Sequence, residues 1–325
     1  MDFLQLSGIY KKDTNGFSLG PVDLVQERGR HMAIAGETGS GKSTLLKVIA
    51  GLVQPAAGSV MFEGVKVKGP DEQLIPGHPG IAYLSQHFEL PNFLRVEQVL
   101  EYANHLAEEE AGEIYNICRI THLFRRRTDQ LSGGEKQRIA IARLLIGSPK
   151  LLLLDEPYSN LDLIHQDILK AVIHDIGSRL NITCIMVSHT ASDMLAWAAS
   201  IVVIRNGLIV QQDTPKGIYY RPADTYVAGL FGHYNLLTPE LAQLLTGIKA
   251  DDSIMIRPEH IQLSPAATDQ ESAAIVTDVA FYGSDCELTL SWQGISLLAR
   301  AAAGLVQRGD RFAVSVQPDH AWPIS

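Results

Sequence analysis

A doubly wound α/β core with an inserted helical subdomain, followed by a small all-β barrel, is the architecture that this 325-residue chain predicts. Three observations carry it. Apolar strands alternate with helical patterns up to about residue 220, the signature of an α/β domain. Two of those strands, at 151–154 and 182–187, are continuous apolar runs, as in parallel strands buried on both faces. Beyond about residue 232 short β-like runs follow at 253–257, 273–282, 285–292, 295–300 and 311–317, broken by Trp292-Gln293-Gly294 and Arg308-Gly309-Asp310-Arg311 turns. That spacing predicts a small barrel of the oligonucleotide/oligosaccharide-binding (OB) type. The expected domains are 1–232, with the helical subdomain at about 87–147, and 233–325.

Bulk composition bounds the function. With 46% hydrophobic and 19% charged residues the chain is globular rather than disordered. A formal net charge of −9 speaks against general nucleic-acid binding, which needs a basic face. Cys118, Cys184 and Cys286 are odd in number and far apart, which suits a reducing compartment and fits neither disulfide nor metal spacing. Met1-Asp2-Phe3-Leu4-Gln5-Leu6 lacks the basic-then-apolar order of a secretory signal. No stretch approaches the ~18–20 apolar residues that cross a bilayer. A soluble, cytoplasmic chain is expected, with any membrane role arising through partners.

Taken in order, residues 3–10 and 17–24 read as strands joined by the turn-rich Lys11-Lys12-Asp13-Thr14-Asn15-Gly16. A strand at 31–35 and a helix at 45–50 then bracket Gly36-Glu37-Thr38-Gly39-Ser40-Gly41-Lys42-Ser43-Thr44. This is the phosphate-loop pattern: glycines let successive backbone N–H groups face phosphate oxygens, and the helix adds its unpaired N–H groups and positive dipole end. Lys42 would bring a full positive charge to the β- and γ-phosphates, and the Ser43 hydroxyl would ligate Mg²⁺. The bland alternative is a glycine-rich turn without a ligand. Stretches 55–58 and 64–79 read as turns between short strands, and a strand at 81–85 delivers Gln86. Residues 96–106 and 139–146 are the clearest helices of the subdomain.

The run at 151–154 ends in Asp155-Glu156-Pro157. Asp155 would hold Mg²⁺, directly or through water, and Glu156 would activate the attacking water as general base. The alternative is an acidic strand end that caps the helix at about 162–177. The strand at 182–187 leads to Ser188-His189, and Arg205-Asn206-Gly207 marks a hairpin. Ligands of doubly wound sheets bind at the carboxyl ends of the strands, where Gln86, Asp155 and His189 all fall. Arg125-Arg126-Arg127 and Glu108-Glu109-Glu110 read as solvated runs, and the remaining histidines show no ligand spacing.

Leu131-Ser132-Gly133-Gly134-Glu135-Lys136-Gln137-Arg138 opens an amphipathic helix, so its start can hold phosphate or serve only as a cap. These eight residues resemble the signature motif of ATP-binding cassette (ABC) ATPases, with Glu135 where glutamine is frequent. The other motifs follow in the family's order: 36–44 resembles Walker A, Gln86 the Q-loop, Asp155-Glu156 Walker B, Ser159-Asn160-Leu161-Asp162 the D-loop and His189 the switch histidine. The resemblance covers roughly residues 3–230 and implies a P-loop NTPase (ABC ATPase) core binding ATP and Mg²⁺.

It implies further that two copies pair head to tail, each ATP lying between the phosphate loop of one chain and Ser132-Gly133-Gly134 of the other. Asp162 would communicate across that dimer. His189 would contact the γ-phosphate and hold Glu156 and water in line; without the resemblance, a lone histidine at a strand end reads as structural. Gln86 would link Mg²⁺ to the helical subdomain, where membrane permease subunits dock a coupling helix.

Ile254-Met255-Ile256-Arg257-Pro258-Glu259-His260-Ile261 with Val279-Ala280-Phe281-Tyr282-Gly283 resembles the OB-like (TOBE) barrel of importer ATPases for polyamines, ferric iron, sulfate or molybdate. The reading is an ABC-transporter ATPase, with import favoured and a solute-binding protein as indirect partner, located on the inner face of the membrane. The rivals are a soluble ABC ATPase of translation or DNA repair, and a module that binds ATP only to regulate. One departure stands out. The family places an adenine-stacking aromatic where this chain has Asp13. Tyr10 and Phe17 lie near and read as strand core residues, with stacking as the alternative, so weak ATP binding and poor discrimination against GTP are expected.

Overall fold

The computed structural model describes residues 3–13, 16–87, 89–247, 249, 251–266 and 273–324. Thr14 and Asn15 of the expected first turn lie outside them. The chain forms two compact units, Met1–Pro215 and Lys216–Ser325.

In the first unit, β1 (Leu4–Lys12) and β2 (Ser18–Gln26) pair antiparallel, and β1 also pairs with β4 (Ala57–Phe62), which is joined by the short β5 (Val65–Lys66). The second sheet holds β3 (Met32–Ala35), β6 (Ile81–Leu84), β7 (Leu151–Asp155), β8 (Thr183–Val187), β9 (Ser200–Arg205) and β10 (Leu208–Asp213). Its order is β10-β9-β3-β8-β7-β6, parallel except for the β9–β10 hairpin. That hairpin turns through Asn206 and Gly207, both left-handed, as the Asn-Gly pair predicts.

Why β7 is apolar from Leu151 to Leu154 follows from the pleat. Leu151 and Leu153 pack into the core shared with β1, β2 and β4, whereas Leu152 and Leu154 face the opposite core with the helices. Helix α1 (Lys42–Ile49) lies on the first side. On the other are α2 (Val96–Glu101), α3 (Glu108–Ile117), α4 (Gly133–Leu145) and α5 (Leu163–Leu180). The helical block expected at 87–147 thus shares one continuous core with the sheet through Val96, Ile114, Ile139 and Leu154. Its acidic run, Glu108 to Glu110, fills the first turn of α3, where carboxylates suit the helix dipole. Helix α6 (Ala191–Trp197) follows β8.

The second unit opens with α7 (Pro215–Tyr220) and α8 (Thr225–Leu230), which the sequence reading leaves in the first domain. Arg257 gives the physical reason. It is 1% exposed, and its guanidinium donates to the carbonyls of Tyr219, Ala228, Gly232 and His233 while stacking over Tyr219 at 4.1 Å. The compact unit therefore begins at Lys216, ahead of the expected 232/233 change.

Two sheets follow. One orders β11 (Asn235–Leu237), β12 (Ile254–Ile256) and β18 (Trp322–Pro323) as β11-β12-β18. The other holds β13 (Gln262–Pro265), β14 (Ala274–Phe281), β15 (Asp285–Trp292), β16 (Ile295–Ala302) and β17 (Arg311–Ser315) in the order β13-β17-β14-β15-β16, all antiparallel. A further helix, α9 (Pro239–Thr246), is capped by Thr238 and buries Ala242 and Leu245 in the same core as Leu288 and Leu290.

Candidate functional site

The loop after β3 is built by its glycines. Gly36 has φ 149°, and a Cβ there would stand 2.2 Å from the Ile204 carbonyl oxygen. Gly41, the residue before α1, has φ 103° and places the helix start where no side chain caps it. The first N–H groups of α1 are thus left for a ligand. Lys42 is buried, and its Nζ donates to the carbonyls of Gly36 at 2.8 Å and Glu37 at 2.7 Å. Burial pushes its ammonium below the usual lysine range, opposed by the charges of Glu156, Asp155 and Glu37. Ser40 Oγ is buried with no hydrogen-bond partner among the described residues. An orphaned hydroxyl inside a glycine cradle, beside a buried ammonium, fits a phosphate group. Glu37, Thr38 and Gly39 form the exposed rim of the loop, and Thr44 is half-buried beside Ser43.

The parallel register of β6, β7 and β8 brings the other strand ends to this edge. Ser43 Oγ donates to Asp155 Oδ1 at 3.0 Å. The Tyr83 hydroxyl donates to Asp155 Oδ2 at 2.8 Å, and burial, then the Asp155 charge, pushes the Tyr83 phenol up. Gln86 Nε2 donates to Glu156 Oε2 at 2.9 Å, and His189 Nδ1 lies 3.6 Å from the same oxygen. Glu156 itself sits at φ 49°, a left-handed conformation that a residue before proline rarely adopts. Its backbone N–H donates to Val187, and its carbonyl accepts from the Ser159 hydroxyl. A hydroxyl and a carboxylate at hydrogen-bond distance are hard oxygen donors that fit Mg²⁺.

Ser132, Gly133 and Gly134 gather elsewhere, with Asp162. Ser132 caps α4: its Oγ accepts from the Glu135 N–H, and Glu135 accepts from the Ser132 N–H at 2.8 Å. Glutamate at 135 closes this capping box as glutamine would. Ser132 and Gly133 are exposed, whereas Gly134 is buried against His165, whose Cδ2 would stand 3.1 Å from a Cβ at that position. The His165 ring in turn bonds Asp162 at 2.7 Å. Gln137, buried in α4, donates to the Pro157 carbonyl and so ties this group to the Glu156 turn.

Tyr83, His165 and Gln137 escape sequence reasoning, since each acts through a partner distant in the chain. Only Tyr83 carries a signal: a phenol inside an apolar strand needs a polar partner. Arg125, Arg126 and Arg127 are exposed, as expected.

Of the two candidate aromatics, Phe17 borders the phosphate loop. A Cβ on Gly41 would meet its Cζ at 3.1 Å, and the ring packs on the core shared with Leu19 and Leu45. Tyr10 is half-buried and pairs through its backbone with Ala57. Phe17→Ala is therefore expected to weaken ATP and GTP binding alike, by about fivefold or more, while Tyr10→Ala changes neither. Titration of both nucleotides checks this; a strong wild-type preference for ATP lost in one variant alone would identify an adenine-stacking residue instead.

Comparison with known proteins supplies the family. The ABC transporter profile matches residues 19–159 and the TOBE domain profile residues 254–324. The Fe(3+) ions import ATP-binding protein FbpC of Serratia marcescens is 32% identical over 308 residues, 89% of this chain and 89% of that protein. The sulfate/thiosulfate import ATP-binding protein CysA of Pectobacterium atrosepticum is 29% identical, over 99% of each chain. The solved structure of cbiO1 from Clostridium perfringens, part of the ABC transporter complex cbiONQ, covers 67% of this chain and 90% of its own, with a TM-score of 0.58 at 24% identity, a likeness of fold. The chain belongs to the family of ATP-binding subunits of ABC transporters, ATPases that here carry a C-terminal TOBE domain.

Proposed function

We propose that this ATPase works as a head-to-tail pair and drives solute import through separate membrane permease subunits. The observation that supports the pair is the division of the site residues. Lys42, Ser43, Gln86, Asp155, Glu156 and His189 converge in one place, while Ser132, Gly133, Gly134 and Asp162 gather in another, with Ser132, Gly133 and Asp162 exposed. Each chain then carries halves of two different sites, and two chains set head to tail complete both.

In this reading the loop N–H groups, the Ser40 hydroxyl and Lys42 hold the phosphates of ATP, phosphate oxygens competing with the Gly36 and Glu37 carbonyls for the ammonium. Ser43 and Asp155, with Gln86 alongside, would hold Mg²⁺, which would supply positive charge to the phosphate oxygens. Glu156 accepts a proton from water as the water oxygen bonds the γ-phosphorus, and the bond from that phosphorus to the bridging oxygen breaks, leaving ADP and inorganic phosphate. His189 and Gln86, both on Glu156 Oε2, keep that carboxylate aimed. The partner's Ser132-Gly133-Gly134 turn and helix N-terminus close over the γ-phosphate.

No helix among the described residues is long and apolar enough to cross a membrane. We place the chain in the cytoplasm, bound to the inner face of the membrane by its permease, with a solute-binding protein as indirect partner. Import is favoured by the names of the FbpC and CysA relatives and by the TOBE domain of this chain. A groove of about 630 Å³, lined by Leu52, Ile75, Pro76, His78 and Tyr83 and, from the helical subdomain, by Leu144, is the proposed seat of a permease helix, at the edge of that subdomain rather than within it. Ile75 in its lining is 81% exposed, and Leu74 before it in the chain 99%, apolar surface of the kind that partners cover.

The test is reconstitution in vesicles with the membrane subunits that co-purify with this chain from its own cells. Hydrolysis should rise when loaded solute-binding protein is added on the face opposite ATP. Ile75→Asp should abolish that rise and leave the rate of the chain alone unchanged. A chain that binds no permease overturns the transport reading.

A further inference from the structure

Both oxygens of Asp155 are held by side chains, Oδ1 by Ser43 and Oδ2 by Tyr83. The two bonds differ in what else their donors do. Ser43 Oγ gives its proton to Asp155 and keeps its lone pairs for Mg²⁺, so it is itself a proposed metal ligand. The Tyr83 phenol has no such second duty. Its position is set by the sheet: on β6 it stands level with Leu153 of β7, two residues before Asp155 and on the same face. The phenol is long enough to run along that face and meet the carboxylate at 2.8 Å. The ring is half-buried against the core that contains Leu151 and Leu153, which limits its rotation.

We propose that Tyr83 is a positioning residue for ATP hydrolysis, its hydroxyl fixing the Asp155 carboxylate in the orientation that receives Mg²⁺·ATP. The inference rests on the reading of Asp155 as a metal carboxylate. A hydrogen bond to a metal-ligating group sets its direction, and its loss is felt chiefly in metal affinity. Tyr83 also lines the groove proposed for the permease helix, so one side chain has the groove on one side and the site carboxylate at its tip.

The experiment is Tyr83→Phe, which removes the hydroxyl and keeps the ring. ATP binding is titrated in the full chain with Mg²⁺ and in EDTA, and the Mg²⁺ requirement for binding is measured separately from turnover. We expect the Mg²⁺ concentration for half-maximal binding to rise about tenfold, the low end of the effect of losing an outer hydrogen bond. Affinity in EDTA and the melting temperature should stay unchanged. An unchanged Mg²⁺ requirement, or equal weakening in EDTA, overturns the proposal, the second by showing a general disturbance of the loop. Should wild type itself bind ATP with no dependence on Mg²⁺, the metal reading of Asp155 fails first, and that outcome is distinct from both.

Discussion

Glu156→Gln is expected to bind ATP normally and to turn it over about 10²–10⁴ times more slowly than wild type, the usual cost of removing a general base. The substitution is nearly isosteric, and either side chain bears the same backbone strain at φ 49°. Gln86 can still donate to the remaining carbonyl oxygen where it now meets Glu156 Oε2 at 2.9 Å. What disappears is the proton acceptor and one negative charge. Because that charge opposes the γ-phosphate, its loss should favour the ATP-bound pair over separate chains. Phosphate release and gel filtration with and without ATP read the two effects. Turnover within a few-fold of wild type would remove Glu156 from the role of base.

The second large effect concerns a residue that has no contact with its own chain's phosphate loop among the bonds described above. Ser132→Arg should abolish hydrolysis while leaving the ATP affinity of the isolated chain intact. Locally the change is mild. It deletes the Oγ acceptor of the Glu135 N–H, a cap typically worth ~1 kcal/mol, but the Glu135 carboxylate can still hold the backbone N–H of residue 132. The long cation then projects from an exposed helix start into the space a partner's nucleotide would occupy. Mixed with Lys42→Ala chains, Ser132→Arg can rebuild at most one whole site in each mixed pair, so part of the activity should return. A Ser132→Arg chain that fails to bind ATP alone, or hydrolyses it at the wild-type rate, would end the head-to-tail assignment.

Much of this site is legible because its residues advertise themselves locally. The glycines of 36–44, the four leucines ahead of Asp155 and the Ser132-Gly133-Gly134 helix start each follow from backbone or pleat geometry within one segment. What the chain conceals is work done across the sequence. Tyr83 reaches Asp155 from a neighbouring strand, His165 pads Gly134 from the next helix, and Gln137 holds Pro157. In the C-terminal unit the short helices α7 and α8 carry too few turns to show a period. Their allegiance depends on Arg257, a residue some thirty positions away that reads as part of an apolar strand motif.

The left-handed Glu156 has a thermodynamic corollary. A non-glycine residue held at φ 49° ahead of a proline costs on the order of 1–3 kcal/mol. Glycine is free of that penalty, so the fold, judged as a fold alone, favours glycine at this position. The chain keeps glutamate and bears the cost in stability. Selection for heat resistance, left to act without selection for turnover, would press on residue 156 in the direction that silences the enzyme.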